Sequence, residues 1–366
     1  MKFSILQQDL LPSLSSVSRS VGVRSTLPIL DNILLSAEGK SLKIAATNLE
    51  IGVIKNITAE VEVEGSITVP AKTLVEIVSG LPQETLEFLS EGENLNIKGN
   101  KFKAVLNGIA ASEFPAIPLS SKSGITFPKQ AILASSQILF ASAVDEGRPQ
   151  LTGILTEVGD GKLSMVATDG FRLSHRTIQV EDKVARFKNL IPKRTYEEIL
   201  RLIAEEDIDS VEISTSENQN QVIFSLGKTI VSSRLIEGNF PAWEKIIPTQ
   251  IIGRAILERD EFLKAIKLAA VFSKSEANIV VINVKKDNFS LTSSAKELGS
   301  QENAIEASLE GEEIQIAFNT KFLLDAINNV PTTQVMMEFS GPLSASLVKG
   351  VGEEGLEFII MPVRLS

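Results

Sequence analysis

The chain has 366 residues, 43% of them apolar, with no cysteine, one histidine and a formal net charge of −10. The lack of cysteine excludes disulfides and thiolate metal sites, and no run approaches the ~18 apolar residues of a membrane span. A soluble cytoplasmic protein of two or three domains is expected, and the acidic balance excludes a uniformly basic nucleic-acid binder while permitting one basic face.

The opening "MKFSILQQDLLPSLSS" lacks the apolar block of a signal peptide, so no leader is expected. Leu10, Leu14, Val17 and Val21 fall on one face and predict a helix over 7–20. "LPILDNILLSAEGKSLKIAATNLEI" then reads as short strands broken by turns, and a second helix is expected over 72–79, before more strands and "ASEFPAIP".

From residue 129 the pattern starts again. A helix over 129–143 is followed by "RPQLTGILTEVGDGKLSMVATDGFRL", a helix over 193–204 and "EGNFPAWEKIIP". Aligning Thr47 with Thr168 sets an offset of 121 residues and lays Pro28 on Pro149. A fainter third copy has helices over 258–273 and 320–328 around "NIVVINVKKDNFSLTSSAKELGS". Three similar domains are expected, at 1–119, 120–247 and 248–366, joined through "IPLSSKSG" and "IIPTQIIG". Two helices on antiparallel strands in each copy make the class α+β. Copies in series can join edge to edge, and a closed assembly would leave no sheet edge free.

A catalytic centre is hard to find. The single histidine, His175, excludes multi-histidine metal clusters and weakens any Ser-His-Asp arrangement. "GVGEEG" at 350–355 matches a dinucleotide fingerprint in letters, but the strand-like "LEFIIMPV" follows it, which predicts a hairpin turn. "GKS" at 39–41 and "GKT" at 227–229 lack the upstream glycine of a phosphate loop, with Leu34 and Val222 in its place. Neighbouring acids such as Asp145 and Glu146 could serve a hydrolase only if folding brought paired carboxylates onto facing elements.

Cations recur where the copies correspond. The second helices open with Lys72, with Lys193 and Arg194, and with Lys321, and Arg24 and Arg148 precede equivalent apolar strands. Lys264, Lys267 and Lys274 lie within about 80° on one helix wheel. Solvated helix surface explains any one of them; their recurrence points to a shared basic face for a polyanion. Few aromatics interleave with these cations, which disfavours base stacking.

The combination "MKF", "TLPIL", "NILL", "ATNLEI", "VPAKTL", "ATDGFRLS", "EGNFP" and "MPVRL", in order along the whole chain, resembles the bacterial DNA polymerase III β subunits, the β sliding clamps. The resemblance implies a DNA clamp fold and a non-catalytic processivity subunit without cofactor or metal. Two chains of three domains would join head to tail as a ring around duplex DNA, binding polymerase, clamp loader and other clamp-motif proteins. It implies DNA-facing roles for Arg24, Lys72, Arg148, Lys193 and Arg194. It implies a partner-peptide pocket of Leu151, Thr168, Gly170, Phe171, Arg172, Leu173, Pro241, Ile246, Pro342, Met361, Pro362, Val363 and Arg364. It also implies a ring joint of Phe102 against Val271 and Phe272. The chain departs from the family pattern at Pro149 and Gln150, at Phe171 where histidine is common, and at an added Ser366. A repeat-built peptide-binding scaffold that does not encircle DNA is the alternative from another class.

Overall fold

The computed structural model describes residues 1–22, 27–119, 124–145, 147–181, 186–216, 220–274, 278–286 and 288–364. Its α-helices are α1 (Gln7–Ser18), α2 (Ala71–Gly80), α3 (Lys129–Leu133), α4 (Lys193–Glu205), α5 (Arg259–Ser273) and α6 (Thr320–Asn328). Five of the six sequence expectations agree within about two residues, because each helix has a clear apolar face to bury. Leu10, Leu14 and Val17 of α1 are fully buried, and so are Phe262, Ala265, Ile266 and Ala269 of α5. The expected helix over 129–143 is the exception. It is α3 followed by 3₁₀ turns at Ala134–Gln137 and Leu139–Ala141. Ser136 and Ser142 donate their hydroxyls to the carbonyls of Leu133 and Leu139, three residues back, where serine competes with the helix ladder.

The chain forms two compact units, residues 1–132 with 197–235 and residues 133–196 with 236–366. The first holds two antiparallel sheets. One has five strands and ends in Lys103–Asn107; the other has eight and carries Ile51–Thr58 beside Thr229–Arg234 at its centre. The second unit also holds two sheets, one of nine strands with Arg172–Gln179 beside Leu356–Ile360, and one of four that ends in Gly299–Ile305.

The units cut across the sequence copies for a physical reason. In both large sheets a strand of one copy pairs with the last strand of the next: Val53 opposite Val231, and Ser174 opposite Phe358. These two junctions are repeat equivalents, since Ile51–Thr58 and Arg172–Gln179 differ by the offset of 121. Each also carries a cation at the same repeat position. Lys55 pairs with Glu206 at 2.8 Å, and Arg176 pairs with Glu353.

The short loops follow local chemistry. "GVGEEG" is the turn between Ser346–Gly350 and Leu356–Ile360, with Gly352 and Gly355 at φ of +77° and +73°. "GKS" and "GKT" are hairpin turns as well, between paired strands of the eight-stranded sheet.

Candidate functional site

The loop after strand Lys162–Thr168 holds itself by hydrogen bonds. The Thr168 hydroxyl donates to the Arg172 carbonyl at 2.6 Å and accepts from the Gly170 amide at 3.0 Å. Asp169 Oδ1 accepts the amides of Phe171 and Arg172 at 2.9 and 3.0 Å, a side chain standing in for a backbone turn. Gly170 sits at φ +94°, where a side chain is strained.

This turn sends its last two side chains opposite ways. Phe171 points out and is 61% exposed, whereas Arg172 is buried. The Arg172 guanidinium donates to Asp169 Oδ2 at 3.0 Å, to Asp325 of α6 at 2.5 Å and to the Phe140 carbonyl at 2.8 Å. It also lies over the rings of Phe140 and Phe322, 5.1 and 4.6 Å from their centroids. A planar fork with five donors suits such a site, where an ammonium would not.

The C-terminal segment is strapped to the same loop. The Met361 amide donates to the Phe171 carbonyl at 2.9 Å, and the Val363 amide to the Ala317 carbonyl at 2.8 Å. Beneath lies a buried cluster of Leu155, Val166, Leu173, Leu190, Trp243 and Ile359, with Phe240, Ile246 and Ile247 packed against it. Of the thirteen proposed pocket residues, Leu151, Thr168, Arg172 and Leu173 are buried. Ile246, Pro362 and Val363 are half-buried, and Gly170, Phe171, Pro241, Pro342, Met361 and Arg364 are exposed. Apolar surface is therefore offered at Phe171 and Met361, hydrogen-bonded neighbours, above a packed floor that includes Leu173 and Ile246. Sequence reasoning missed Asp169, Phe140, Phe322 and Asp325, which hold the loop; of these only Asp169 had a signal, as the counterpart of Asn48 in the repeat.

The candidate cations have different surroundings. Lys72, in the first turn of α2, is exposed, with its Nζ 3.9 Å from Glu76, a solvated pair of little energetic weight. Lys193 opens α4, half-buried, and Arg194 beside it is exposed. Arg148 donates to the Asp169 carbonyl at 3.1 Å, and a Cβ on Gly170 would lie 3.0 Å from its Nη1, so this cation also braces the pocket loop. Lys264, Lys267 and Lys274 are exposed along α5, and Arg24 lies outside the described residues.

Phe102 is half-buried and precedes the edge strand Lys103–Asn107. Phe272 is half-buried at the end of α5, where Val271 is 57% and Leu268 54% exposed.

Family models for the DNA polymerase III beta subunit match in order: the N-terminal domain at residues 1–118, the central domain at 129–242 and the C-terminal domain at 244–364. The chain belongs to the DNA polymerase III β subunit family. It is 32% identical over 376 residues to the beta sliding clamp of Caulobacter vibrioides and 30% over 378 to that of Synechococcus elongatus, each covering 100% of both chains. Among solved structures, the DNA polymerase sliding clamp of Bacillus subtilis superposes with a TM-score of 0.95 at 28% identity, again over 100% of both chains. The fold is thus the three-domain clamp fold, α+β, and the family is a processivity factor of DNA polymerase, a non-catalytic subunit.

In a DNA polymerase III β subunit the features that resemble enzyme parts need structural explanations, and the fold supplies them. His175 Nε2 bonds Ser164 Oγ at 3.0 Å and Thr177 Oγ1 at 2.9 Å, while its ring lies 4.5 Å from that of Trp243. Its Nδ1 is 3.5 Å from Glu357, whose carboxyl the imidazole holds below the usual carboxylate range against the upward push of burial. Asp145 Oδ1 accepts the Gly147 amide at 2.9 Å, and Glu146 lies outside the described residues.

Proposed function

We propose that two copies of this chain close head to tail into a ring around duplex DNA and tether the replicative polymerase to it. One observation carries the proposal: the same strand junction occurs twice, and the two strands that would make it a third time are both at sheet edges. Lys103–Asn107, the last strand of copy one, ends the five-stranded sheet, and Gly299–Ile305, the copy-three counterpart of Arg172–Gln179, ends the four-stranded sheet. Pairing them between chains would complete a sheet like the other two and remove both exposed edges. Two such unlike contacts close by twofold symmetry into a ring rather than a filament. Opposite charge supports the pairing, with Lys103 on one edge and Glu302 on the other, and so do exposed Val105, Leu268 and Val271. Phe102, Val271 and Phe272 are the proposed joint.

The proposed domains are 1–119, 120–247 and 248–366, one arc each. DNA contact is assigned to Arg24, Lys72, Arg148, Lys193 and Arg194, read electrostatically and without sequence preference. The surface around Phe171, Leu173, Ile246, Met361 and Val363 is proposed to take a short, partly apolar peptide shared by polymerase and clamp loader. The proposed compartment is the cytoplasm, where such a clamp would meet its DNA.

Light scattering with and without nicked circular DNA tests the ring. The expected mass is twice the 39.6 kDa of one chain, and loaded protein should stay on circles and leave when they are linearised. Phe272→Ala should shift the mass toward one chain and shorten the lifetime on circles. A wild-type protein that remains a monomer at every concentration overturns the proposal.

A further inference from the structure

The repeat "FPAI" at 114–117 against "FPAW" at 240–243 leaves the two copies filled differently. In copy two, Trp243 is 8% exposed and its ring lies 4.5 Å from that of His175, the repeat counterpart of Ile54. In copy one the indole is replaced by Ile117. That side chain is anchored elsewhere: a Cβ on Gly52 would lie 2.8 Å from its Cγ2, so it rests on the glycine. The space that a tryptophan ring takes in copy two is a cleft of about 420 Å³ in copy one, open to solvent, with walls of Leu34, Ala45, Ile54, Ile117 and Ile230. That volume lies within the range of small-ligand sites, roughly 300–1,000 Å³. Lys43 also lines it, exposed and without a hydrogen-bond or ion-pair partner among the described residues, where copy two has Ser164.

We propose that this copy-one cleft binds the tryptophan side chain of a partner peptide whose next residue is acidic. The ring would rest on Ile54, and the acid would meet Lys43. The chain's own copy-two segment puts a tryptophan at this place, and the unpartnered charge of Lys43 on the cleft wall favours an acidic neighbour. The inference rests on the internal repeat and is independent of the ring and of the copy-two surface.

The test is a titration of full-length protein, methyl-labelled at Ala, Ile and Leu, with acetyl-Ala-Trp-Glu-amide followed by NMR. Saturable shifts at the methyls of Ala45, Ile54, Ile117 and Ile230 are expected. Replacing Trp by Ala in the peptide should weaken binding at least tenfold. Replacing Glu by Gln, or Lys43→Gln in the protein, should weaken it about threefold. Ile117→Trp should fill the cleft, raise the melting temperature and weaken binding at least tenfold; should that variant fail to fold, the peptide series and Lys43→Gln still decide. Shifts confined to Leu173 and Ile246, no saturation, or affinity indifferent to Trp overturns the proposal. Binding of a polymerase peptide at the copy-two surface, measured in the same samples, is expected to be unchanged by Lys43→Gln.

Discussion

In the loops at 47–51 and 168–172, a threonine hydroxyl donates to the carbonyl four residues on, Thr47 to Ile51 at 3.0 Å and Thr168 to Arg172 at 2.6 Å. Asn48 and Asp169 then each accept, through one side-chain oxygen, the amides two and three residues on. Each third position has positive φ, +73° at Leu49 and +94° at Gly170. The contents differ. Copy one ends the turn with buried, apolar Ile51, and copy two with buried, charged Arg172, bound to two aspartates and a carbonyl. A shared backbone device thus closes a hairpin in both copies and, in copy two, also locks a loop whose outer face presents Phe171. The added cost falls on copy two, because a buried guanidinium must keep every partner.

That contrast can be broken most directly at the arginine. Arg172→Ala should destabilise the second unit by about 3–5 kcal/mol, since it strands Asp325 and Asp169 beside two aromatic rings. Urea unfolding and polymerase-peptide affinity should fall together, and a variant that binds peptide as wild type does would show that the guanidinium has no part in shaping the surface. Gly170→Ala is the next largest. The positive φ costs about 1–2 kcal/mol for a side chain, and the new methyl crowds Arg148. Thermal melts should show the loss, and Arg148→Ala in the same chain should relieve part of it.

A smaller effect separates the two junctions by pH. Glu357 is held below 4.5 in the folded chain, first by the His175 imidazole 3.5 Å away, so its contribution is complete above that value and lost as pH falls through the lower folded one. At the same repeat positions copy one sets Ile54 opposite Ile230, which cannot titrate. Acidification below about 4.5 should therefore lower the melting temperature less in Glu357→Gln than in wild type. The smallest change is expected from Leu49→Gly. Relief of about 1–2 kcal/mol of left-handed strain is offset by about 0.5–1 kcal/mol of chain entropy, so the melting curve should move little. A large loss would mean that the exposed Leu49 side chain packs against something in solution.

Much of the fold was legible along the chain. The apolar face at Leu10, Leu14 and Val17 located α1, and the glycine-rich "GVGEEG" located a hairpin, because both depend on contacts within a few residues. The helix expected over 129–143 was not legible in full, since its apolar spacing continued while serines diverted the ladder into 3₁₀ turns. At the candidate site, Leu173 and Ile246 were named through the family resemblance and share one cluster. Asp325 and Phe322 carried no mark in the sequence, lying some 150 residues from the arginine they hold.

The sequence by itself determined the repeat, the hairpin turns and the positions of five of the six expected helices, because these follow from short-range periodicity, from turn residues and from hydrogen bonds spanning three or four positions. It also determined which family the chain resembles. Only the tertiary structure decided that Ile51–Thr58 joins Thr229–Arg234 and that Arg172–Gln179 joins Leu356–Ile360, since pairing between distant strands depends on which edges meet. It decided too that one threonine–Asx turn closes over an isoleucine and the other over an arginine bound to α6. A repeat writes the same local chemistry in each copy, but the groups that surround it come from segments far along the chain, and burial by those segments decides what each copy can bind.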